Sequence, residues 1–222
     1  MKKHPNPQAI TQEFLTLTHT LYADKTVSIP ADAFSRTVHI AVDMINGFVK
    51  EGTLASPEVL TINPDVAAFA SVCETAGIQN LALCDCHPAQ CSEFLTYPVH
   101  CVSGTRESEL TDELKAAADF RIFPKLSVNG WLEPDFQQYI LDQGFDTFIL
   151  TGDCTDMCVL QLALSLKSGL NRINRPTRVI IPTDLVATCG LPTRSAAAGE
   201  LAALTVMQSN GIEIVQAIRL TD

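Results

Sequence analysis

Leu150-Thr-Gly-Asp-Cys-Thr-Asp-Met-Cys-Val159 is the stretch whose reading decides the fold. It joins an apolar run, Thr147 to Leu150, to a segment of helical spacing, Thr155 to Lys167, across a turn holding Gly152. A buried strand that enters a helix through a short turn is the repeating step of a parallel α/β sheet. Thr155 suits the N-cap and Asp156 the first turn, and Gly169 is read as the helix end. That places Cys158 where the helix dipole and free amides lower a thiol pKa. A thiolate there can attack a carbonyl while neighbouring amides receive the oxyanion. The plainer alternative is a buried structural cysteine. Cys154 competes for the nucleophile's role from the turn before the cap, where its amide can serve an oxyanion hole whatever its sulfur does.

Outward from this stretch the same alternation repeats. A first helix is expected from about Pro7 to Tyr22, with Ile10, Phe14, Leu17 and Leu21 on one face. Pro30 closes an extended stretch and leads to a strand, Thr37 to Asp43. A helix follows from Asp65 to Ala76, with Pro64 at its start and Gly77 at its end, then a strand from Asn80 to Cys84. Beyond a long loop through Gly104 come a short helix near Glu107 to Ala117 and a strand, Asp119 to Phe123, stopped by Pro124. A helix from Glu133 to Gln143 ends at Gly144. After the central stretch, Arg178 to Ile181 is a strand, Thr193 to Ser209 a helix and Ile212 to Val215 the last strand.

The expected architecture is a three-layer, Rossmann-like α/β fold, with a mostly parallel sheet of about six strands and helices on both faces. Such sheets bind ligands beyond the carboxyl ends of their strands. There the sequence sets Asp43, then Asp85 and His87, then Lys125, then Gly152 to Cys158, after successive strands. The net charge of −10 argues against nucleic acid, since phosphate binding needs clustered Lys and Arg. No segment reaches the ~20 apolar residues of a membrane span. Met1 to Gln8 has no apolar run behind it, so a secretory leader is not expected. Eight cysteines in a chain rich enough in apolar residues to build a core read as reduced thiols, pointing to the cytoplasm.

Gly152 to Val159 resembles the Gly-x-x-Thr-Asp-x-Cys-Val signature of the isochorismatase-like cysteine hydrolases, which include the nicotinamidases. The resemblance implies Cys158 as nucleophile, backbone amides of Cys154 and Cys158 as oxyanion hole, and a cis peptide between Asp153 and Cys154. Ile40-Ala-Val-Asp-Met-Ile-Asn-Gly-Phe48 is similar to the family's Val-Asp-x-Gln-x-Asp-Phe and makes Asp43 the general base. Ile45 and Gly47 stand where Gln and Asp are common. Phe123-Pro-Lys-Leu-Ser-Val-Asn-Gly-Trp131 resembles the segment of the family lysine, here Lys125, whose charge would support both the thiolate and Asp43.

Asp85-Cys-His-Pro-Ala-Gln-Cys-Ser-Glu-Phe94, followed by Tyr97-Pro-Val-His-Cys-Val-Ser-Gly-Thr105, resembles the nicotinamidase metal loop. Asp85, His87, Glu93 and His100 map onto its ligands, with Cys91 where some members carry a second His. Carboxylate and imidazole ligands suit a divalent ion, zinc first, manganese or iron as alternatives. Cys91 as a zinc thiolate is a lesser option, and the paired Cys-x-x-Cys spacing of a structural zinc site is missing. Phe48 and Tyr97 map onto aromatic residues that sandwich a planar substrate. Cys73, Cys84, Cys86, Cys101 and Cys189 read as buried hydrophobes with no assigned chemistry, and His4, His19 and His39 carry no functional claim.

The resemblance covers about Val38 to Ser209, leaving 1–36 as an N-terminal helical extension suited to oligomer contacts and 37–222 as the hydrolase domain. It implies a homo-oligomeric amidase that cleaves a small carboxamide, nicotinamide foremost, to its acid and ammonia. A related amidase acting on another small amide or carbamoyl compound is the alternative within enzymes, and a non-catalytic metal-binding protein of the same fold is the alternative outside them.

Overall fold

The computed structural model describes residues 6–190 and 194–221. Helix α1, Pro7–Leu21, starts at an Asn6 cap. Strand β1, Thr26–Pro30, and β2, Thr37–Val42, follow, then a one-turn helix α2, Asn46–Val49, and α3, Pro57–Thr75. Next come β3, Gln79–Asp85; α4, Asp112–Ala117; β4, Phe120–Lys125; α5, Pro134–Gln143; and β5, Thr147–Asp153. The chain ends through α6, Leu160–Arg172; β6, Arg178–Pro182; β7, Val186–Ala187; α7, Ala196–Ser209; β8, Glu213–Val215; and β9, Ala217–Thr221.

Among the described residues the main sheet has seven strands in the order β4-β3-β2-β5-β6-β8, with β7 added to the end of β5, and every pairing is parallel. The extra strand over the expected six is β7, too short to leave a pattern. Period-two alternation divides the core. Val38, Ile40 and Val42 of β2, with Phe148 and Leu150 of β5, pack against Phe136, Leu162, Leu166, Leu204 and Met207 from α5, α6 and α7. Ala41 and Ala82 face Val59, Val66, Ala67 and Leu114 from α3 and α4. Helices thus cover both faces. β1 and β9 form a separate parallel pair, and their Ile29 joins Ile149 and Ile180 in a third apolar cluster.

Four local expectations need correction. Pro64 does not start a helix: Ser56 caps the Val59 amide, Pro57 occupies the first turn and Pro64 lies inside α3. Pro124 does not stop β4, because β4 is the sheet's edge, where a missing N–H costs no ladder bond. Gly169 does not end α6; a Cβ there would lie 2.7 Å from the Trp131 ring, so the glycine makes room for packing. Thr155 is not the N-cap: Cys154 holds that place with no side-chain cap, and Thr155–Val159 form a π-helical turn leading into α6. The expected start of α7 at Thr193 lies outside the described residues, and its cap is Ser195, whose hydroxyl accepts the Ala198 amide.

The strand order reverses between β2 and β5, which begin the two halves of the sheet and pair directly from Thr37↔Thr147 to Val42↔Gly152. A switch point of this kind opens a crevice at the carboxyl ends. β2 and β3 exit to one side of it and β5 to the other.

Candidate active site

Asp43 leaves β2 at φ +54, a left-handed conformation rare for a residue with a Cβ. Its carboxylate accounts for it: Oδ1 accepts the Asp85 amide at 2.8 Å, while the Asp43 amide donates to the Leu83 carbonyl. The side chain is thereby turned into the crevice. In the register, Asp85 pairs with Lys125 across β3 and β4. The lysine is fully buried, with Nζ 2.8 Å from Asp43 Oδ2, 2.5 Å from Asp85 Oδ1 and 3.6 Å from Cys158 Sγ. On the far side Gly152 at φ +104 passes over β2, where a Cβ would meet the Val42 carbonyl oxygen at 2.0 Å. Only glycine fits that approach. The next peptide, Asp153–Cys154, is cis, as the family resemblance implies.

Electrostatics follow from burial. Desolvation pushes Asp43 up to about 6, with Lys125 opposing and Asp85 adding to the rise. Burial acts the same way on Asp85, yet the Lys125 ammonium and the nearby His100 and His87 imidazoles outweigh it and hold that carboxyl far below its usual range. Burial also disfavours charge on Lys125, but the carboxylates and the Cys158 sulfur more than compensate and raise it. For Cys158 the outcome reverses the expectation drawn from a helix start. Burial raises the thiol well above its ordinary value, Lys125 opposes, and Asp43 and Asp85 reinforce the rise. Burial thus disfavours ionisation of the resting sulfur.

Asp85, His87 and His100 offer ligand atoms that all lie within 4.8 Å of one another. His87 Nε2 is 3.5 Å from Asp85 Oδ1, and His100 Nε2 is 3.6 Å from Asp85 Oδ2. His100 Nδ1 donates to the Pro98 carbonyl at 2.8 Å, which leaves Nε2 free to ligate. Among the described residues His87 Nε2 is buried with no hydrogen-bond partner, and so is Glu93 Oε2, 4.0 Å away from it. Buried orphans of this kind fit a cation. Glu93 stands beside the group of three rather than within it; its Oε1 accepts the Val128 amide. Cys91 Sγ lies 3.5 Å from His87 Nδ1, on the ring nitrogen turned away from the cluster, so it can orient the imidazole and is not a ligand of this group. Phe48 and Tyr97 line the same cleft, with ring centroids 5.6 and 6.3 Å from that of His100.

Residues 37–212 match the model of the isochorismatase domain. The chain belongs to the isochorismatase family. Nicotinamidase 1 of Arabidopsis thaliana is 27% identical over 69% of this chain and 70% of its own. A pyrazinamidase of Pyrococcus horikoshii, solved in complex with zinc, is 26% identical at a TM-score of 0.67, covering 82% of this chain and 99% of that one. The N-carbamoylsarcosine amidase of Thermoplasma acidophilum, 23% identical, shares the fold at a TM-score of 0.64 over 84% and 97%.

Within this isochorismatase fold the sequence-chosen residues Asp43, Phe48, Asp85, Glu93, Tyr97, His100, Cys154 and Cys158 line one cleft, with Lys125 and His87 directly behind it. The departure at Gly47 has a local cause: a Cβ there would sit 2.6 Å from Cys101 Sγ, so the common Asp does not fit. Two ionisable residues of the cleft were given no role from the sequence. Asp153 is buried beside Asp43 with Oδ1 unpartnered among the described residues, and Cys189 arrives from the segment after β7. No local pattern marks either, because only the pairing of β7 with β5 brings them together.

Proposed function

We propose that this chain is a cysteine-dependent hydrolase of small carboxamides, with nicotinamide as its leading substrate. Family membership and nicotinamidase relatives support a hydrolase of small amides. The observation that carries the cysteine chemistry is the fully buried Lys125 ammonium, in contact with Asp43, Asp85 and Cys158 at once. A cation there makes a thiolate and a carboxylate tolerable in a dry cleft.

In this mechanism Asp43, poised near neutrality, takes the Cys158 proton as the sulfur attacks the amide carbon. The amides of Cys154 and Cys158 receive the oxyanion. Asp43 returns the proton to the departing ammonia. Water then cleaves the thioester, its proton passing through Asp43 to the Cys158 sulfur, which leaves the carboxylic acid, the thiol and the Asp43 carboxylate. Proton abstraction and attack occur together, because the free thiolate is disfavoured by burial. Phe48 and Tyr97 hold a planar ring between them. Asp85, His87 and His100, with Glu93 beside them, would hold a divalent ion, zinc foremost, which when bound supplies Lewis-acid attraction for a ring nitrogen.

The match beginning at residue 37 supports a hydrolase domain of 37–222 with 1–36 as an extension. Exposed Phe14 and Leu15 on α1 support its use in homo-oligomer contacts, and free cysteines support a reducing cytoplasm.

Ammonia release from nicotinamide by the purified protein, before and after metal chelation, tests the reading. Release that chelation abolishes and added zinc restores is the expected result. Absence of release from zinc-replete protein removes nicotinamide and directs the search to other small amides and carbamoyl compounds.

A further inference from the structure

The chemistry above uses the Cys154 amide but leaves two thiols of the cleft idle. Cys154 Sγ and Cys189 Sγ face each other at 3.2 Å, both free and both buried. The pair is held from two sides. Gly152 and Asp153 of β5 pair with Val186 and Ala187 of β7, so Cys154 and Cys189 leave adjacent strand ends together. A disulfide bond is about 2.05 Å long, so the sulfurs need to close a little over 1 Å.

A second observation concerns the surroundings of Cys189. Arg194 places Nη2 3.3 Å from the Cys189 sulfur and 2.9 Å from its carbonyl oxygen, while Nη1 is held by Asp156 at 3.2 Å. A guanidinium fixed beside a sulfur favours the thiolate. The hydrogen bond from Cys154, aided by Arg194 against the opposing effect of burial, lowers Cys189 to about 7. Cys154 and Cys158 are pushed well above their ordinary value. Of the three thiols in the cleft, Cys189 is therefore the one whose ionisation its surroundings favour.

We propose that Cys154 and Cys189 form a redox modification site, where a hydroperoxide converts the two thiols into a reversible disulfide across the cleft. The Cys189 thiolate attacks the peroxide oxygen and displaces hydroxide, giving a sulfenic acid. The Cys154 sulfur then attacks the Cys189 sulfur, expelling the hydroxyl group; with the Cys154 proton it leaves as water. Two thiols and one hydrogen peroxide become one disulfide and two waters, the two electrons passing from sulfur to peroxide. Closing the gap draws Cys154, and with it an oxyanion-hole amide, away from Cys158. The effect on turnover rests on the amidase reading; the disulfide does not.

The test treats the reduced full-length protein with hydrogen peroxide, alkylates the remaining thiols and maps the peptides without reduction. The expected product has lost two hydrogens and links Cys154 to Cys189; dithiothreitol reverses it. It is absent from Cys189→Ser and still forms in Cys158→Ala. A link through Cys158, or oxidation of Cys189 with no link, overturns the proposal. If Cys189→Ser does not fold, the wild-type map decides alone. Ammonia release should fall about tenfold or more on oxidation and return on reduction. A link formed in protein that hydrolyses no amide leaves the redox site standing and removes the amidase reading. Full ammonia release with no link removes the redox site alone.

Discussion

His39 lies within β2 and Asp43 just past its end, and both are buried beyond reach of solvent. Around His39 every polar atom is matched. Nδ1 bonds Asn80 Oδ1 at 2.7 Å, Nε2 bonds the Thr151 hydroxyl at 2.9 Å, and Asn80 Nδ2 donates to the Ala70 carbonyl. Phe69 closes the site with its ring edge-on at 5.2 Å. Past the strand end the accounts stay open. His87 Nε2, Glu93 Oε2 and Asp153 Oδ1 are buried without partners among the described residues, and one ammonium serves two carboxylates and a thiol. Completed polar networks hold a core together, whereas unmatched buried atoms cost stability and persist where a ligand or reaction uses them. The two ends of the same strand separate architecture from chemistry.

The largest expected effect breaks the open end at its sulfur. Cys158→Ala should lower turnover by about 10⁴-fold or more, as removal of a nucleophile does in comparable hydrolases. Its circular dichroism and Tm should stay close to wild type, since one small side chain at a cleft wall is lost. Retained activity in this variant, joined to loss in Cys154→Ala, would move the nucleophile to Cys154. The next effect is on stability. Lys125→Met leaves Asp43 and Asp85 buried with no cation, and removal of one partner of a buried pair costs about 3–5 kcal/mol. Urea denaturation at neutral pH measures it. A loss below about 1 kcal/mol would mean that the carboxylates are solvated or protonated without the lysine, and the contrast with His39 would weaken.

The same contrast explains what could be read from the sequence. Strands β2, β3 and β5 were legible because parallel strands buried on both faces are continuous apolar runs, as in Leu81 to Cys84. Asp43, Asp85 and Lys125 stood out because each ends or directly follows a strand, Cys158 because it lies in the turn that follows one, and the candidate metal ligands because His87 and His100 sit in a recognisable loop. Element ends were less so. Pro64 and Gly169 carry the chemistry of helix boundaries but are used for other purposes within helices. Burial of the site's ionisable groups was not legible. A helix start argues for an acidic thiol at Cys158, yet the carboxylates and the dry cleft that raise it come from other strands. Cys189 is the converse case, an ordinary cysteine by sequence whose guanidinium and sulfur partners exist only after folding.

The smallest effect sharpens the closed end. Burial, opposed by the bond to Asn80, lowers His39 to about 4 from an ordinary 6.5. The folded state therefore binds fewer protons than the unfolded state between those values. The contribution is complete above pH 6.5 and is lost as pH falls toward 4, which amounts to about 3 kcal/mol at 1.36 kcal/mol per pKa unit. Glutamine can donate to Asn80 and accept from Thr151 without titrating, so His39→Gln should show a flatter fall in unfolding free energy from pH 7 to 4. Urea midpoints of the two proteins across that range supply the comparison, and the difference between their slopes cancels the other acid-labile groups, Asp85 among them. Parallel curves would mean that His39 takes up its proton while folded, and the matched network around it would then be no more settled than the site it is contrasted with.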